Sequence, residues 1–294
     1  MNAELLAVLR CPVCGGDVDS RLRCAACGRT YRESEGIAEL IADGVDEHKR
    51  RQAEWFADAD PEWEVERPHG APRLHLWLLE EKVRRSVSEL GDLRGRRVLV
   101  SCGGSGMDAE FLARRGAVVV TTDISPAAAR RAVERGRRHG VVIDSIVADA
   151  ERLPFADKSF DVAYVHDGLH HLEDPLVGLR EMMRVASRAV AVTEPARAAV
   201  TRLAMHAGIA TETEDAGNRV ERLEPAHVVS VLEAGGFDVV RAGRYGMFYR
   251  HEPGLAVRAL SRPGLYEASR LALTAANAVA GGLGNKLAVQ AVRL

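Results

Sequence analysis

The chain has 294 residues, 47% of them hydrophobic and 28% charged, a globular mix that excludes wholesale disorder. At roughly 150 residues per domain the length suits about two domains. Its 40 basic and 42 acidic side chains give a net charge of −2, which disfavours a protein built to ride on nucleic-acid backbone or anionic lipid. Only 4 of the 40 basic residues are Lys. The first residues run into a cysteine motif without a long apolar region, and no run of about 18 apolar residues occurs. The expectation is a cytoplasmic protein with no membrane segment.

Residues 1–45 hold Cys11, Cys14, Cys24 and Cys27, two C-x-x-C pairs with nine residues between them. Each short turn presents two thiolates to one point, the arrangement a tetrahedral zinc ion takes. Glycines after each second cysteine let backbone amides turn toward the sulfurs. So small a segment has little core, so the metal would supply much of its folding free energy. Two disulfides are the alternative, disfavoured in a reducing compartment. Leu5 to Arg10 precede the first pair, and Tyr31 and Glu35 to Ile41 follow the second. With these flanks, residues 3–42 resemble the Trm112-like zinc ribbon, which in related proteins stands alone as a methyltransferase activator or is fused to one. Five Arg against seven Asp or Glu in residues 1–45 argue against an RNA clamp and for a structural or substrate-gating role.

Residues 46–94 read as a helical linker or cap. Leu76, Leu79, Val83, Val87 and Leu90 have helical spacing, which predicts a helix from Arg73 to Leu90, with Gly91 as its stop. Trp55, Trp63 and Trp77 are expected to pack this segment onto its neighbour; the alternative is that one or two line an entrance. Glu66-Arg67-Pro68-His69 offers polar groups without a readable place. Residues 95–294 form the main domain, with insertions at about 196–224 and 250–284.

In that domain, strands are expected at 97–100, 117–123, 143–147 and 161–165, with a helix over Pro126–His139. Alternation of this kind predicts an α/β fold with a parallel sheet covered on both faces. A glycine turn, Cys102 to Gly106, links the first strand to a helix beginning at Met107. The turn brings backbone close to a ligand, but its spacing suits a dinucleotide as well as an adenosyl cofactor. An acid at the second strand's tip, Asp123, can accept both ribose hydroxyls. The deciding segments are Asp149-Ala150-Glu151-Arg152-Leu153-Pro154-Phe155, Ser159 to Val162 and the Leu169-His170-His171-Leu172 turn.

With that block, residues 95–195 resemble a class I S-adenosylmethionine-dependent methyltransferase of the type 11 small-molecule group. The resemblance implies a Rossmann-like sheet of seven strands, the last antiparallel. It implies that Ser101, Gly103, Gly104, Gly106, Asp123, Ile124, Asp149, Ala150 and His166 hold the cofactor. Gly104 and Gly106 would lie under its methionine part, Asp123 at the ribose, Asp149 and Ala150 at the adenine, and His166 beside the sulfonium. Two departures stand out: Val100 where the family has an acid, and Cys102 where it has its first glycine. They imply weaker or altered cofactor use, or another acid standing in for the missing one.

Methyl transfer needs an aligned acceptor and often a base. His170, His166 and Glu194 are the catalytic candidates, with Asp167 and His171 nearby. Arg180, Glu181 and Arg184 read as a solvated helix face. The fifth strand is expected at 190–193. The stretch from Ala196 to Glu224, with Met205 and His206, reads as a solvated loop or a lid. A helix is expected from Glu224 to Ala234 and a sixth strand over 237–241. Tyr245, Met247, Phe248 and Tyr249 read as core or pocket. Residues 253–284 are expected to be helical, and 286–294 to be a last, antiparallel strand closing the sheet. The Asn/Asp-Pro-Pro-aromatic signature of nucleobase amine methylation is absent after the fourth strand. The reading is methyl transfer to a small-molecule acceptor, most naturally at oxygen. An RNA base methyltransferase using the ribbon as a clamp, a degenerate cofactor-binding module and a nicotinamide dehydrogenase are the alternatives. The acceptor and the oligomeric state have no signature in the sequence.

Overall fold

A computed structural model describes residues 3–42, 46–196, 223–247 and 252–294. Met205 and His206 of the expected lid, and Phe248 and Tyr249, fall outside them.

The strands are apolar and buried on both faces at the centre of the sheet, as parallel strands beneath helices must be, and largely exposed at its two edges. They are β1 (Arg32–Ser34), β2 (Ile37–Leu40), β3 (Arg97–Val100), β4 (Val118–Asp123), β5 (Ile143–Ala148), β6 (Phe160–His166), β7 (Ala186–Pro195), β8 (Phe237–Tyr245) and β9 (Lys286–Arg293). They make one sheet in the order β1-β2-β5-β4-β3-β6-β7-β9-β8. Strands β5 to β7 run parallel along that order, and β9 is antiparallel to both neighbours. The seven expected strands and the antiparallel last strand are thus present. That last strand does not close the edge: it lies between β7 and β8, with Gln290 fully buried.

Side chains alternate between faces along each strand. Val98, Val100, Val119, Tyr164 and Ala191 pack under α4 (Arg73–Ser86), α5 (Met107–Ala113) and α6 (Pro126–His139). Leu99, Val120, Ile146, Val165 and Val192 pack on the other face with α7 (Pro175–Val185) and α8 (Pro225–Ala234). Two further helices, α9 (Leu255–Leu260) and α10 (Leu265–Ala280), fill the expected insertion and touch α4. Helix starts follow local chemistry. Ser125 caps α6 ahead of Pro126, and Asp174 caps α7 ahead of Pro175. Helix α4 ends at Ser86, a turn earlier than its apolar spacing predicts, because Val87 leaves helical geometry (φ −128°).

The ribbon is joined to this sheet. After α1 (Ala3–Val8), its hairpin extends the sheet, with β2 parallel to β5 through Glu39–Val147 and Leu40–Ala148. The Arg10 amide donates to the Pro154 carbonyl (2.9 Å), and the Ala156 amide to the Val8 carbonyl (2.8 Å). Leu5, Leu9, Val18, Tyr31 and Leu40 share one core with Leu99, Val165 and Leu179. Arg184 and Glu181, expected in solvent, secure the same 153–157 segment. The Arg184 guanidinium donates to the carbonyls of Leu153 (2.8 Å) and Phe155 (2.6 Å), and Glu181 accepts from the Leu153 amide (2.9 Å). A planar group with five donors can serve several acceptors at once, which sequence periodicity does not reveal.

A cap precedes the main domain. Its helices are α2 (Glu47–Ala57), capped by Asp46, and α3 (Pro61–Glu66), capped by Asp60. Buried guanidiniums of α6 hold it: Arg131 donates to the Phe56 carbonyl and Arg135 to the Glu64 carbonyl. Arg138 pairs with Glu62 (2.6 Å) and Glu66 (2.8 Å). His69, Glu110 and His139 also converge here. Glu110 already pairs with Arg114 and Arg135, and His69 Nε2, 2.9 Å from its carboxylate, ties the cap to α5 there.

The shared core predicts that the four-cysteine cluster supports more than its own hairpin. Breaking the cluster by Cys24→Ala, or by a chelator where it holds a metal ion, should speed amide exchange in β5 and residues 153–156 as well as in residues 11–31. Exchange measured by mass spectrometry checks this; a change confined to the ribbon would contradict it.

Candidate active site

A cavity of about 600 Å³ opens at the C-terminal ends of the central strands. It lies where the sheet order reverses about β3, between β4 and β6, the crevice that open α/β sheets offer to ligands. The glycine turn forms one wall. A Cβ on Gly103 would sit 1.9 Å from Thr121 Oγ1, and Gly106, at φ +79°, would meet Ala132 Cβ at 2.8 Å. Both positions therefore exclude larger residues. Gly104 has nothing within 4 Å of its Cβ position and leaves the turn open toward the cavity. Cys102 adopts φ +51° there, a conformation costing a side-chain-bearing residue about 1 kcal/mol and natural to the glycine it replaces. Burial and nearby carboxylates, Asp123 first, raise its thiol pKa, so it remains a neutral thiol.

Ser101, Gly103, Gly104, Asp123, Ile124, Asp149, Ala150 and His166 all line the cavity. Gly106 lies behind it, packed on α6. Asp123 accepts from the amides of Gly104 and Ser125, each at 2.9 Å, and burial holds its pKa above the usual range. Asp149 accepts from the Glu151 amide (2.9 Å) and pairs with Lys49 (2.7 Å), which also reaches Glu151 (2.6 Å). Lys49 comes from cap helix α2, and no sequence signal marked it; nor did any mark Gln52 or Phe56, which also line the cavity. Of the tryptophans, Trp55 lines the cavity, whereas Trp77 packs beside Leu78, Tyr245 and Met247. Arg67 lines the cavity too.

The far wall carries the histidines. His170 Nδ1 lies 2.8 Å from Glu194 Oε2. Glu194 is fully buried and also accepts from the amides of Gly168 (2.8 Å) and Leu169 (2.7 Å). It therefore stands behind the cavity, holding the turn and the His170 ring. His171 meets the cap: its carbonyl is 2.9 Å from His48 Nε2, and its ring is edge-on to Phe56. Asp167, at φ +50°, pairs with Lys286 of β9. Burial raises the Asp167 pKa, but the paired Lys286 ammonium outweighs it and holds the group ionised. His166 Nε2 is buried with no hydrogen-bond partner among the described residues. Burial lowers its pKa from 6.5 to about 4, so the ring is neutral at physiological pH.

These groups fit an adenosyl cofactor. The orphaned His166 nitrogen awaits a polar partner, the open face of Gly104 admits close approach, and Asp123 stands at its strand tip. The four cysteines likewise suit one tetrahedral ion. Cys11 and Cys27 sulfurs are 3.8 Å apart, Cys14 and Cys24 3.4 Å, and all four lie within 4.8 Å of one another. Four sulfurs at about 2.3 Å from zinc would be ~3.8 Å apart. The Tyr31 hydroxyl, 2.8 Å from the Cys11 sulfur, can donate to that thiolate.

The His166 shift has a consequence for stability. Its folded pKa, about 4, is below the ordinary 6.5, so on acidification the unfolded chain takes up the proton first. Stability is lost as pH falls from ~6.5 toward ~4, by at most roughly 3 kcal/mol. Urea unfolding at pH ~7 and ~5 should show a smaller acid loss in His166→Asn than in the wild type. Equal losses would contradict the assignment.

A family model described as a methyltransferase domain matches residues 98–191. A demethylmenaquinone methyltransferase of Renibacterium salmoninarum is 33% identical over 141 residues, 48% of this chain and 56% of that protein. A ubiquinone/menaquinone biosynthesis C-methyltransferase of Idiomarina loihiensis is 37% identical over 107 residues, 35% of this chain and 43% of the relative. The chain thus spans about half the length of the curated relatives it matches. Among solved structures, a magnesium protoporphyrin IX methyltransferase of Synechocystis with bound SAH superposes with a TM-score of 0.57 at 17% identity. That match covers 84% of this chain and 100% of the other, and shows a shared fold. Among the described residues no helix is long and apolar enough to cross a membrane. With its sheet order, its glycine turn and these matches, the chain is built on a class I S-adenosylmethionine-dependent methyltransferase domain, preceded by a four-cysteine cluster consistent with a zinc ribbon.

Proposed function

We propose that the protein methylates a hydroxyl-bearing small molecule, with His170 as general base and Glu194 as its positioning residue. The observation that carries this reading is the buried His170–Glu194 pair, 2.8 Å apart, on the wall of the cavity that suits the cofactor. In it, Asp123, Ile124, Asp149 and Ala150 hold the cofactor's nucleoside, Gly103 and Gly104 lie under its methionine part, and Ser101 and His166 lie toward its methionine end. When bound, S-adenosylmethionine supplies an electrophilic methyl group at its sulfonium.

The chain's own residues do the rest. The Glu194 carboxylate accepts a hydrogen bond from His170 Nδ1–H and so leaves Nε2 as the basic nitrogen. The Gly168 and Leu169 amides, fixed on the same carboxylate, keep the ring from turning away. His170 Nε2 takes the acceptor's hydroxyl proton, leaving an oxyanion as nucleophile. Trp55 and Phe56 of the cap offer apolar walls to an acceptor ring and restrict water. His166, kept neutral by burial, places no positive charge beside the sulfonium. A zinc ion in the ribbon has a structural role, at a sheet edge remote from the histidines.

Oxygen is the acceptor atom in this reading. Transfer to a ring carbon activated by the same oxyanion is the second reading, favoured by the name of the Idiomarina loihiensis relative, a C-methyltransferase. The RNA reading has less support, because the ribbon's hairpin is taken up by its pairing with β5.

Calorimetric titration with S-adenosylmethionine, followed by turnover on a panel of phenols and hydroquinones, tests the proposal. Asp123→Ala should abolish binding. His170→Ala should lower kcat by roughly 10²–10⁴-fold with cofactor affinity kept. Labelled-methyl NMR of the product separates oxygen from carbon. A folded wild type that binds no cofactor, or a His170→Ala variant of unchanged kcat, would overturn it.

A further inference from the structure

The strand end where the resembling methyltransferases carry an acid is Val100 in this chain. Val100 pairs in register with Tyr164, and both side chains belong to the face covered by α4 and α5. The space in front of them is not left without charge. Asp108, from the first turn of α5, accepts from the Tyr164 hydroxyl at 2.9 Å. Lys82, from α4, reaches the other oxygen of the same carboxylate at 2.8 Å. Both charged residues are buried, at 3% and 9% exposure, and both line the cavity together with Val100 and Ser101.

The distribution of lysine sharpens the point. Of 40 basic residues only 4 are lysines, and 3 of these, Lys49, Lys82 and Lys286, line this cavity. Each faces a carboxylate: Asp149 and Glu151, Asp108, and Asp167. The first of these is at the adenine end of the cavity and the last beside the histidine turn. Lys82–Asp108 lies between them, against the strand that leads into the glycine turn. A buried pair costs several kcal/mol of desolvation per ion, and apolar residues of similar size generally serve stability as well or better. A compact ammonium beside a carboxylate on a cavity wall is complementary to a ligand carrying both charges on one carbon.

We propose that Lys82 and Asp108 receive the amino-acid end of the cofactor, Lys82 its α-carboxylate and Asp108 its α-ammonium, in place of the acid missing at Val100. The proposal rests on the reading of the cavity as an S-adenosylmethionine site. Binding opens the direct pair into a four-charge ring of alternating sign, so the two buried ions keep their partners. Tyr164 keeps the Asp108 carboxylate aimed while the Lys82 ammonium turns to the ligand.

The test uses two ligands that differ only at this end. S-adenosylhomocysteine carries the amino-acid zwitterion; 5′-methylthioadenosine has the same thioether nucleoside without it. Calorimetry of the whole protein should show about tenfold or greater weakening of S-adenosylhomocysteine in Asp108→Asn and in Lys82→Met, roughly 1.4 kcal/mol or more. The affinity for 5′-methylthioadenosine should stay within about twofold by the same conversion. Each single variant leaves one buried ion unpaired. The double variant, neutral at both positions, is therefore measured beside them, with melting curves as the control for folding; it should discriminate least between the two ligands. Equal weakening of both ligands, or unchanged preference in the folded double variant, would overturn the proposal. So would a wild type that binds the two ligands equally, and that result would leave the cofactor site standing. A wild type that binds neither would sink the cofactor reading itself.

Discussion

Coverage of both faces of the parallel sheet is the constraint from which the site follows. With α4 to α6 on one side and α7, α8 and the ribbon core on the other, the middle of the sheet is apolar apart from buried hydroxyls such as those of Thr122 and Ser145, and a charge there would be costly. Polar chemistry must collect where the strands end. The reversal of order about β3 parts the chain there and leaves a cavity lined by loops that follow β3, β4, β5 and β6. Asp123, Asp149 and His166 face one another only because three strands stop at the same level.

Such a site concentrates charge at low dielectric, and the structure disposes of each charge differently. Glu194 spends its oxygens on three residues of the histidine turn and thereby fixes His170. Asp123 takes two backbone amides. Asp167 and Asp149 take lysines from elements distant in sequence, β9 and α2. The cap, bound through Arg131 and Arg135 to α6, is thus also bound to the cavity floor through Lys49. Ligand entry and the position of α2 are linked by these contacts.

The ribbon belongs to the same economy of packing. A segment of some forty residues has too little interior of its own, and here it gains one by lending a hairpin to the sheet and leucines to the larger core. The segment after α1, Val8 to Arg10, pairs with residues 154–156, which follow the acid expected at the adenine. The four-cysteine cluster and the cavity share one piece of backbone between them.

Local information in the sequence was enough for much of this. The C-x-x-C pairs, the strand–turn–helix around Gly104, the helix opening at Pro126 and the tip position of Asp123 depend on neighbours a few residues away, and each is present as its spacing implied. Where spacing misled, a distant partner decided. The α4 spacing continued past Ser86, although the chain turns there. The Arg184 face looked solvated, yet it holds the carbonyls of Leu153 and Phe155. Glu194 looked like a residue facing the acceptor, yet amide donors from the loop after β6 surround it. The last strand looked like an edge, yet β8 pairs outside it. Lys49, Lys82 and Lys286 had no motif at all, because nothing in their neighbourhoods tells which carboxylate they meet. The sequence by itself determined which elements form and which strand ends carry acid, since turns, caps and burial patterns are local. Only the tertiary structure decided which charges meet across the cavity, because ion pairing is set by distance in space between α2, α4, α5 and β9, and the chain order leaves that distance open.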